Sequence, residues 1–510
     1  MAPRSPSEES SEAGVYDLTQ LQNNDPPPEA PAATLGLGSR ALRNSVVVLT
    51  AKVIARLIAL VTVFYMIRKL GHDNYGVFTV LINLSAIVSV VLDLGFNVLF
   101  VREGARHHDE IQRYLRNVMS IRLVMSALAF VLLAALVIPL GLGDLLLPGF
   151  VLMVFTSYGT LLRNGLYAVQ QLAFEAIGVV LESLVLLALV LYGGFNHQGV
   201  AYYLWAYAIQ NLFTCVYFSI VLGAKRIAFL GWRWEWPLLR EWLWKGLPFA
   251  LTFVLTIIYF RIDQPLVYVF HGREASSYYA AAYKPIEALL FIPITFLSVV
   301  FPVLSIYYRQ RRADLMYALN RFYKGLLLMG WPASVGIFVL AHPLGPVLLG
   351  EGFRPSEGAM RILAIALGIA FVNNTFIGAL NASDRQVSFT WAAGWSVVAN
   401  VAVNLALIPP FSFIGASWAT VVTELVLGVA GWILTSRHVG RVPVFSLSWR
   451  VILAGLIMGA AIYPLSTLHG YEVLIPVAAG AVIYGVAVLL LRAIDGEEIR
   501  WARRAMSTAQ

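Results

Sequence analysis

Residues 259–293 read YFRIDQPLVYVFHGREASSYYAAAYKPIEALLFIP. An apolar run enters from the left, a short polar turn (HGREASS) interrupts it, and a second apolar run leaves on the right. A backbone inside a bilayer must satisfy its own polar groups, so runs of this length read as two helices joined outside the membrane. Both helices carry charges where hydrocarbon is expected. Arg261 and Asp263 lie on the first, and Lys284 and Glu287 on the second. Extended outward, the first helix spans about 243–270 and the second about 276–307.

The rest of the chain repeats this grammar. Apolar and aromatic residues make up 59% of 510 residues and charged ones 13%, with a mean hydropathy of +0.75. Soluble domains are closer to half apolar and a quarter charged. A run of about 20 apolar residues crosses a hydrocarbon core of about 30 Å. Such runs fall near 44–68, 75–101, 117–141, 144–170, 171–194 and 199–223, then 243–270, 276–307, 322–349, 357–381, 386–409, 412–436, 446–468 and 471–492. The expected fold is an all-α integral membrane protein with 14 transmembrane helices.

Basic residues set the orientation. With the N-terminus inside, 24 cations fall in cytoplasmic segments, among them Arg102, Arg106, Arg113, Arg116, Arg233, Arg240, Arg309, Arg311, Arg437, Arg500, Arg503 and Arg504; five (Arg68, Lys69, Arg273, Arg354 and Arg361) fall outside. Both termini are therefore expected in the cytoplasm, at the plasma (inner) membrane. This bias accounts for the net charge of +8 without nucleic acid, since the anionic inner leaflet attracts juxtamembrane cations.

Organisation follows composition. Residues 1–39 are rich in Ser, Glu and Pro and lack an apolar h-region, which reads as a disordered cytoplasmic tail, not a signal peptide. Residues 40–223 form a first lobe of six helices. AKRIAFLGWRWEWPLLREWLWK follows (224–245), dense in Trp, Arg and Lys; it reads as an interfacial elbow helix, with 224–242 as the join. Residues 243–437 form a second six-helix lobe, 438–495 the last two helices, and 496–510 a cytoplasmic tail. The lobes resemble each other. Helix one passes through RKLGHDNYGVF and helix seven through VYVFHGREASSYYAAAY at an offset slightly over 200 residues. An even number of spans separates them, so the repeats are parallel, and transporters of this kind place the substrate between such bundles. The single cysteine, Cys215, excludes an intrachain disulfide.

An ionisable group at mid-bilayer costs about 2.5–3.5 kcal/mol on insertion scales and usually faces a cavity or a partner. Lys52 and Arg56, four apart, share one face of helix one. Arg261 and Asp263 stand about 200° apart around their helix, so they do not pair with each other. Lys284 and Glu287, three apart, are candidates for a local pair, and Pro285 and Pro293 loosen the backbone beside them. Asp93 and Glu424 are also deep, and either suits the neutralisation of a cation. Glu175, which shares a helix face with Glu182, is expected near the cytoplasmic edge. Asn373, Asn374 and Asn381 suit sugar hydroxyls or helix–helix bonding.

These stretches, with LDLGFN…REGAR, LLGEGFRPSEGAMRILA and the Asn400, Asn404, Pro410, Gly415, Ala416 pattern, resemble the bacterial polysaccharide (O-antigen, capsule, exopolysaccharide) flippases. That family sits in the multidrug/oligosaccharidyl-lipid/polysaccharide exporter superfamily. The resemblance covers roughly residues 40–495. It implies two six-helix lobes plus two C-terminal helices around a central cavity, and movement of undecaprenyl-diphosphate-linked oligosaccharide to the outer leaflet by alternating access. It places Lys52, Arg56, Arg261 and Lys284 as substrate-binding cations; Asp93, Asp263 and Glu287 remain as coupling or ion-pair groups. Partners would be the lipid-linked oligosaccharide, the membrane, and a polysaccharide polymerase with its chain-length regulator. No enzyme activity, cofactor or metal is expected, and no G-x-x-x-x-G-K-[ST] loop occurs. Alternatives are a multidrug exporter of the same superfamily and a lipid II flippase.

Overall fold

The computed structural model describes residues 32–310, 312–468 and 470–494. The expected tails up to residue 31 and from 496, with Arg311, Arg500, Arg503 and Arg504, lie outside the described residues.

Among the described residues the chain is helical and has no strand. The first lobe comprises α1 (Ala32–Val88), α2 (Val90–Asp93), α3 (Phe96–Arg106), α4 (Ile111–Val137), α5 (Leu146–Ala168), α6 (Leu172–Phe195) and α7 (Val200–Ala224). Helix α1 thus begins inside the stretch assigned above to the tail. The second comprises α8 (Trp236–Arg261), α9 (Asp263–Leu289), α10 (Phe291–Gln310), α11 (Arg312–Leu348), α12 (Ser356–Ala382) and α13 (Gln386–His438). Helices α14 (Val444–Ile462) and α15 (Leu474–Leu490) close the chain and pack on α11. Eleven helical segments among the described residues are long and apolar enough to cross a membrane, and this is a multi-pass membrane protein.

Three of those segments exceed one crossing. Each contains a backbone reversal: Gly71 (φ 70°, ψ 176°) in α1, Gly272 (φ 77°, ψ −168°) in α9 and Ser412 (φ 54°, ψ −138°) in α13. The expected count of fourteen rests on dividing them there. Gly71 and Gly272 lie 201 residues apart with nearly the same dihedrals, in the two polar turns matched above. Both need φ > 0, which glycine adopts without a Cβ penalty. The parallel repeat is therefore visible in backbone geometry.

The lobes touch at the end of the molecule bearing these turns. Gly76 sits so close to the facing backbone that a Cβ there would lie 2.1 Å from the Arg273 carbonyl. Arg68 reaches across to the carbonyls of Pro346 (3.2 Å) and Val347 near the end of α11, where the helix dipole favours a cation. At the opposite end the connecting segment differs from expectation. Residues 228–235 are not helical; a helix begins only at Trp236, with Pro237 in its first turn. The reason is a competing set of hydrogen-bonding side chains on α4. The Glu235 amide donates to Asn117 Oδ1 (2.7 Å), the Arg233 amide to Ser120 Oγ (3.0 Å), and Arg116 to the Phe229 carbonyl (3.2 Å). Such side-chain bonds offer the backbone an alternative to the helix ladder. The exposed Trp232, Trp234, Trp236 and Trp244 keep the interfacial character that the sequence suggests. Leu239 and Trp242, in the first half of α8, are buried in the core of the first lobe, so α8 bridges both lobes.

Candidate functional site

A cavity of about 470 Å³ lies between the lobes. Helix α1 contributes Arg56 and Met66 from before Gly71 and Tyr75, Phe78, Thr79 and Asn83 from after it; α7 contributes Tyr207. The other wall is Phe260 and Arg261 of α8, then Asp263, Gln264, Tyr279, Tyr283, Lys284 and Glu287 of α9, with Phe291 and Ile294 of α10.

Prolines create the irregularities at this wall. Pro265 has no N–H for the carbonyl of Arg261, and α8 ends there; Pro293 withholds one from Leu289, and α9 ends there. Each break places charged side chains beside loosened backbone: Arg261 and Asp263 at the first, Lys284 and Glu287 at the second.

The cavity cations are held differently. Arg56 Nη2 donates to the Glu287 carbonyl (3.1 Å), and its Nε is buried without a partner. Arg261 Nη1 donates to Asn83 Oδ1 (3.0 Å). Neither guanidinium touches a carboxylate among the described residues, which leaves donors free for an incoming anion. Lys284 Nζ pairs with Glu287 Oε2 (2.7 Å), the expected local pair. Lys52 lies apart from this wall: it reaches Glu175 (3.4 Å) and sits over the Tyr167 ring. Glu175, in the first turn of α6, is buried and also accepts from Tyr167 (2.9 Å).

The expected acids also separate. Asp93 binds the fully buried Arg122 (3.0 Å) inside the first lobe, away from the cavity. Asp263 touches no cation among the described residues. It accepts from Tyr279 (2.8 Å), Asn404 (2.7 Å) and Thr420 (3.3 Å). Behind it lies a small chamber that Asp263, Tyr283, Asn400, Thr420, Thr423 and Glu424 share. Glu424 accepts from Tyr259 (2.8 Å) and Asn373 (2.8 Å), which assigns Asn373 to helix bonding.

The sequence of this chain matches the polysaccharide biosynthesis protein family over residues 41–307. It belongs to that family. The structure is similar to that of the lipid II flippase MurJ in an inward closed conformation, with a TM-score of 0.70 at 16% identity, covering 88% of this chain and 99% of that one. A multidrug resistance MATE family transporter of the MOP superfamily superposes with a TM-score of 0.61 in its inward-facing conformation, at 15% identity, covering 77% and 98%. The outward-facing conformation of a transporter of that family gives 0.50. No curated protein matches the sequence. The fold is that of flippases and transporters.

For this polysaccharide biosynthesis protein, several wall residues escape a reading of charge alone. Asn83 and Gln264 bond across the lobes, and Gln264 continues to Thr79 and Ser276 (3.3 Å). Two lone amides in apolar runs were the available signal. The half-buried Arg163, bonded to Glu182 (2.7 Å), and the buried Arg122 are further cations that face carboxylates rather than the cavity.

Proposed function

We propose that this protein is a flippase that carries undecaprenyl-diphosphate-linked oligosaccharide from the cytoplasmic to the outer leaflet for surface polysaccharide synthesis. The observation that carries the reading is the pair of cavity guanidiniums, Arg56 and Arg261, that have no carboxylate partner among the described residues. Arginine matches phosphate oxygens with forked donors. A sugar hydroxyl stripped of water costs several kcal/mol in hydrocarbon, so the head needs a polar cavity while the lipid tail stays in the bilayer.

In this reading both termini and the 225–235 connection lie in the cytoplasm, and the turn end faces outward. The lobes are joined at the turn end, as in an inward-facing transporter, and the similarity to inward conformations supports that assignment. Substrate binding reaches the closed end through one chain of bonds. Arg261 donates to Asn83, and Asn83 donates to Gln264, which holds Thr79. A diphosphate that recruits Arg261 takes it from Asn83 and loosens the contact that must part for release. Outward movement of negative charge is favoured by an inside-negative potential, by about 2.3 kcal/mol per charge per 100 mV. Asp263, an acid without a cation beside the cavity, is the coupling group; Asp93 and Glu287 are ion-pair partners.

The test is a strain whose surface glycan depends on this protein. Arg56→Ala and Arg261→Ala should each remove surface glycan at normal membrane abundance. Full export by both variants would refute the role. Export of a cationic dye without any lipid-linked sugar activity would favour the drug-exporter alternative.

A further inference from the structure

Three tyrosine hydroxyls on the cavity wall have no protein partner. Tyr75 is buried and its hydroxyl makes no hydrogen bond. Tyr207 and Tyr283 line the same cavity, and their hydroxyls are also unbonded among the described residues. Their neighbour Tyr279 differs, because it donates to Asp263 (2.8 Å). Buried hydroxyls are normally satisfied, and leaving one unmade is destabilising. Tyr75 supplies one such hydroxyl, and the half-buried Tyr207 and Tyr283 add two more on the same wall, which suits a polar ligand.

The rings add a second requirement. Tyr75 stacks on Phe78 (6.3 Å, 24°), and Phe78 packs on Tyr207 (5.3 Å, 60°), which gives one aromatic surface from the first lobe. Glu287 is within electrostatic reach of Tyr75, Tyr207 and Tyr283, and equally of Arg56, Arg261 and Lys284. The hydroxyls and the cations thus surround one space. A sugar ring suits this surface: its C–H faces lie on aromatic rings while its hydroxyls exchange hydrogen bonds. The rings of Tyr75, Phe78 and Tyr207 carry no charge of their own, which suits an uncharged group seated beside the cations. In a lipid-linked glycan, the group bonded to the diphosphate is a sugar.

We propose that Tyr75, Tyr207 and Tyr283 form a subsite for the uncharged sugar attached directly to the diphosphate. This rests on the reading of Arg56 and Arg261 as the diphosphate seat. The experiment uses the full-length protein in nanodiscs and two classes of probe: bare undecaprenyl diphosphate, and the same lipid bearing one glucose, galactose or N-acetylglucosamine. At least one sugar probe should bind the native protein more tightly than the bare lipid. Tyr75→Phe and Tyr207→Phe should each weaken that probe about tenfold, the value of one hydrogen bond, with bare-lipid binding and melting temperature unchanged or the latter raised. Sugars that add nothing to native binding, or Phe variants that bind every probe normally, would overturn the subsite. So would a lower melting temperature with equal loss for both probe classes, which marks a structural role. Arg56→Ala and Arg261→Ala report separately: if both bind the bare lipid as the native protein does, the diphosphate seat fails, while the tyrosine effect is still read from the sugar probes.

Discussion

Buried charge is handled in opposite ways in the first lobe and at the cavity. Inside the first lobe, charges meet their opposites: Arg122 with Asp93, Arg163 with Glu182 and Lys52 with Glu175. At the cavity Lys284 and Glu287 also pair, but the remaining charges there and behind it stand apart from their opposites among the described residues. Arg56 and Arg261 rest on a carbonyl and an amide, whereas Asp263 and Glu424 rest on hydroxyls and amides. A paired buried charge braces helices, and its removal leaves an uncompensated charge. An unpaired one retains bonding capacity, at a cost in stability, for something that arrives later. On the proposed function, the difference separates scaffold from machinery.

The comparison can be broken most decisively at Arg261. Arg261→Ala should lower translocation by about 10–100-fold, the worth of charge-assisted hydrogen bonds, with the melting temperature unchanged or raised. A folding defect of equal size would place Arg261 with the scaffold. In the first lobe the expected pattern reverses. Arg122→Ala should destabilise by about 3–5 kcal/mol, and the double replacement Arg122→Met with Asp93→Leu should recover most of it; thermal melting in detergent checks both. Failure of the double variant to recover would show that the pair does more than brace. At Asp263 the expected effect is smaller in rate and sharper in kind. Asp263→Asn should lower translocation a few-fold and remove its dependence on an imposed proton or sodium gradient, measured in liposomes; retained gradient dependence would exclude Asp263 as the coupling group.

The smallest effect lies at the connection between lobes. Arg113 holds the Glu235 carboxyl below its ordinary value through a salt bridge (2.5 Å), with Asn117 adding a hydrogen bond. A depressed carboxylate stabilises the fold above its unfolded value of about 4.3 and loses that contribution as pH falls through its folded value. Tryptophan fluorescence of the 228–236 segment should therefore shift only at pH values below about 4. Glu235→Gln should abolish that shift and cost about 1 kcal/mol or less, as exposed pairs do.

How much of this was legible in the sequence depends on how local each cause is. Lys284 and Glu287 pair because three residues along a helix are neighbours, and Arg261 and Asp263 point apart because two are not. Both follow from helix geometry, and Pro293 was legible as a weak point in the backbone; the breaks at Pro265 and before Pro293 fall inside stretches that read as single helices. Lys52 and Arg56 share a face, yet α6 stands opposite one and α9 opposite the other; spacing gives direction but not the partner. Asp93 and Arg122 are 29 residues apart, and only packing brings them together. Residues 228–235 have the composition of an interfacial helix, but Asn117 and Ser120 of α4 accept their amide hydrogens. Tyr75 and Tyr207 were hidden because tyrosine is common near membrane interfaces; the Tyr65 and Tyr203 hydroxyls also lack a partner, and it is their place on the cavity wall that sets Tyr75 and Tyr207 apart.

The central claim is that two unpaired guanidiniums move an anionic lipid-linked sugar between leaflets. Its most direct test is translocation of a fluorescent undecaprenyl-diphosphate oligosaccharide in proteoliposomes, with and without an inside-negative potential, for the native protein and the Arg56→Ala, Arg261→Ala double variant. Protein-dependent flipping that accelerates with the potential and disappears in the double variant is the predicted result. Native protein that flips none of several sugar heads, or a double variant that flips as fast as the native protein, would contradict it.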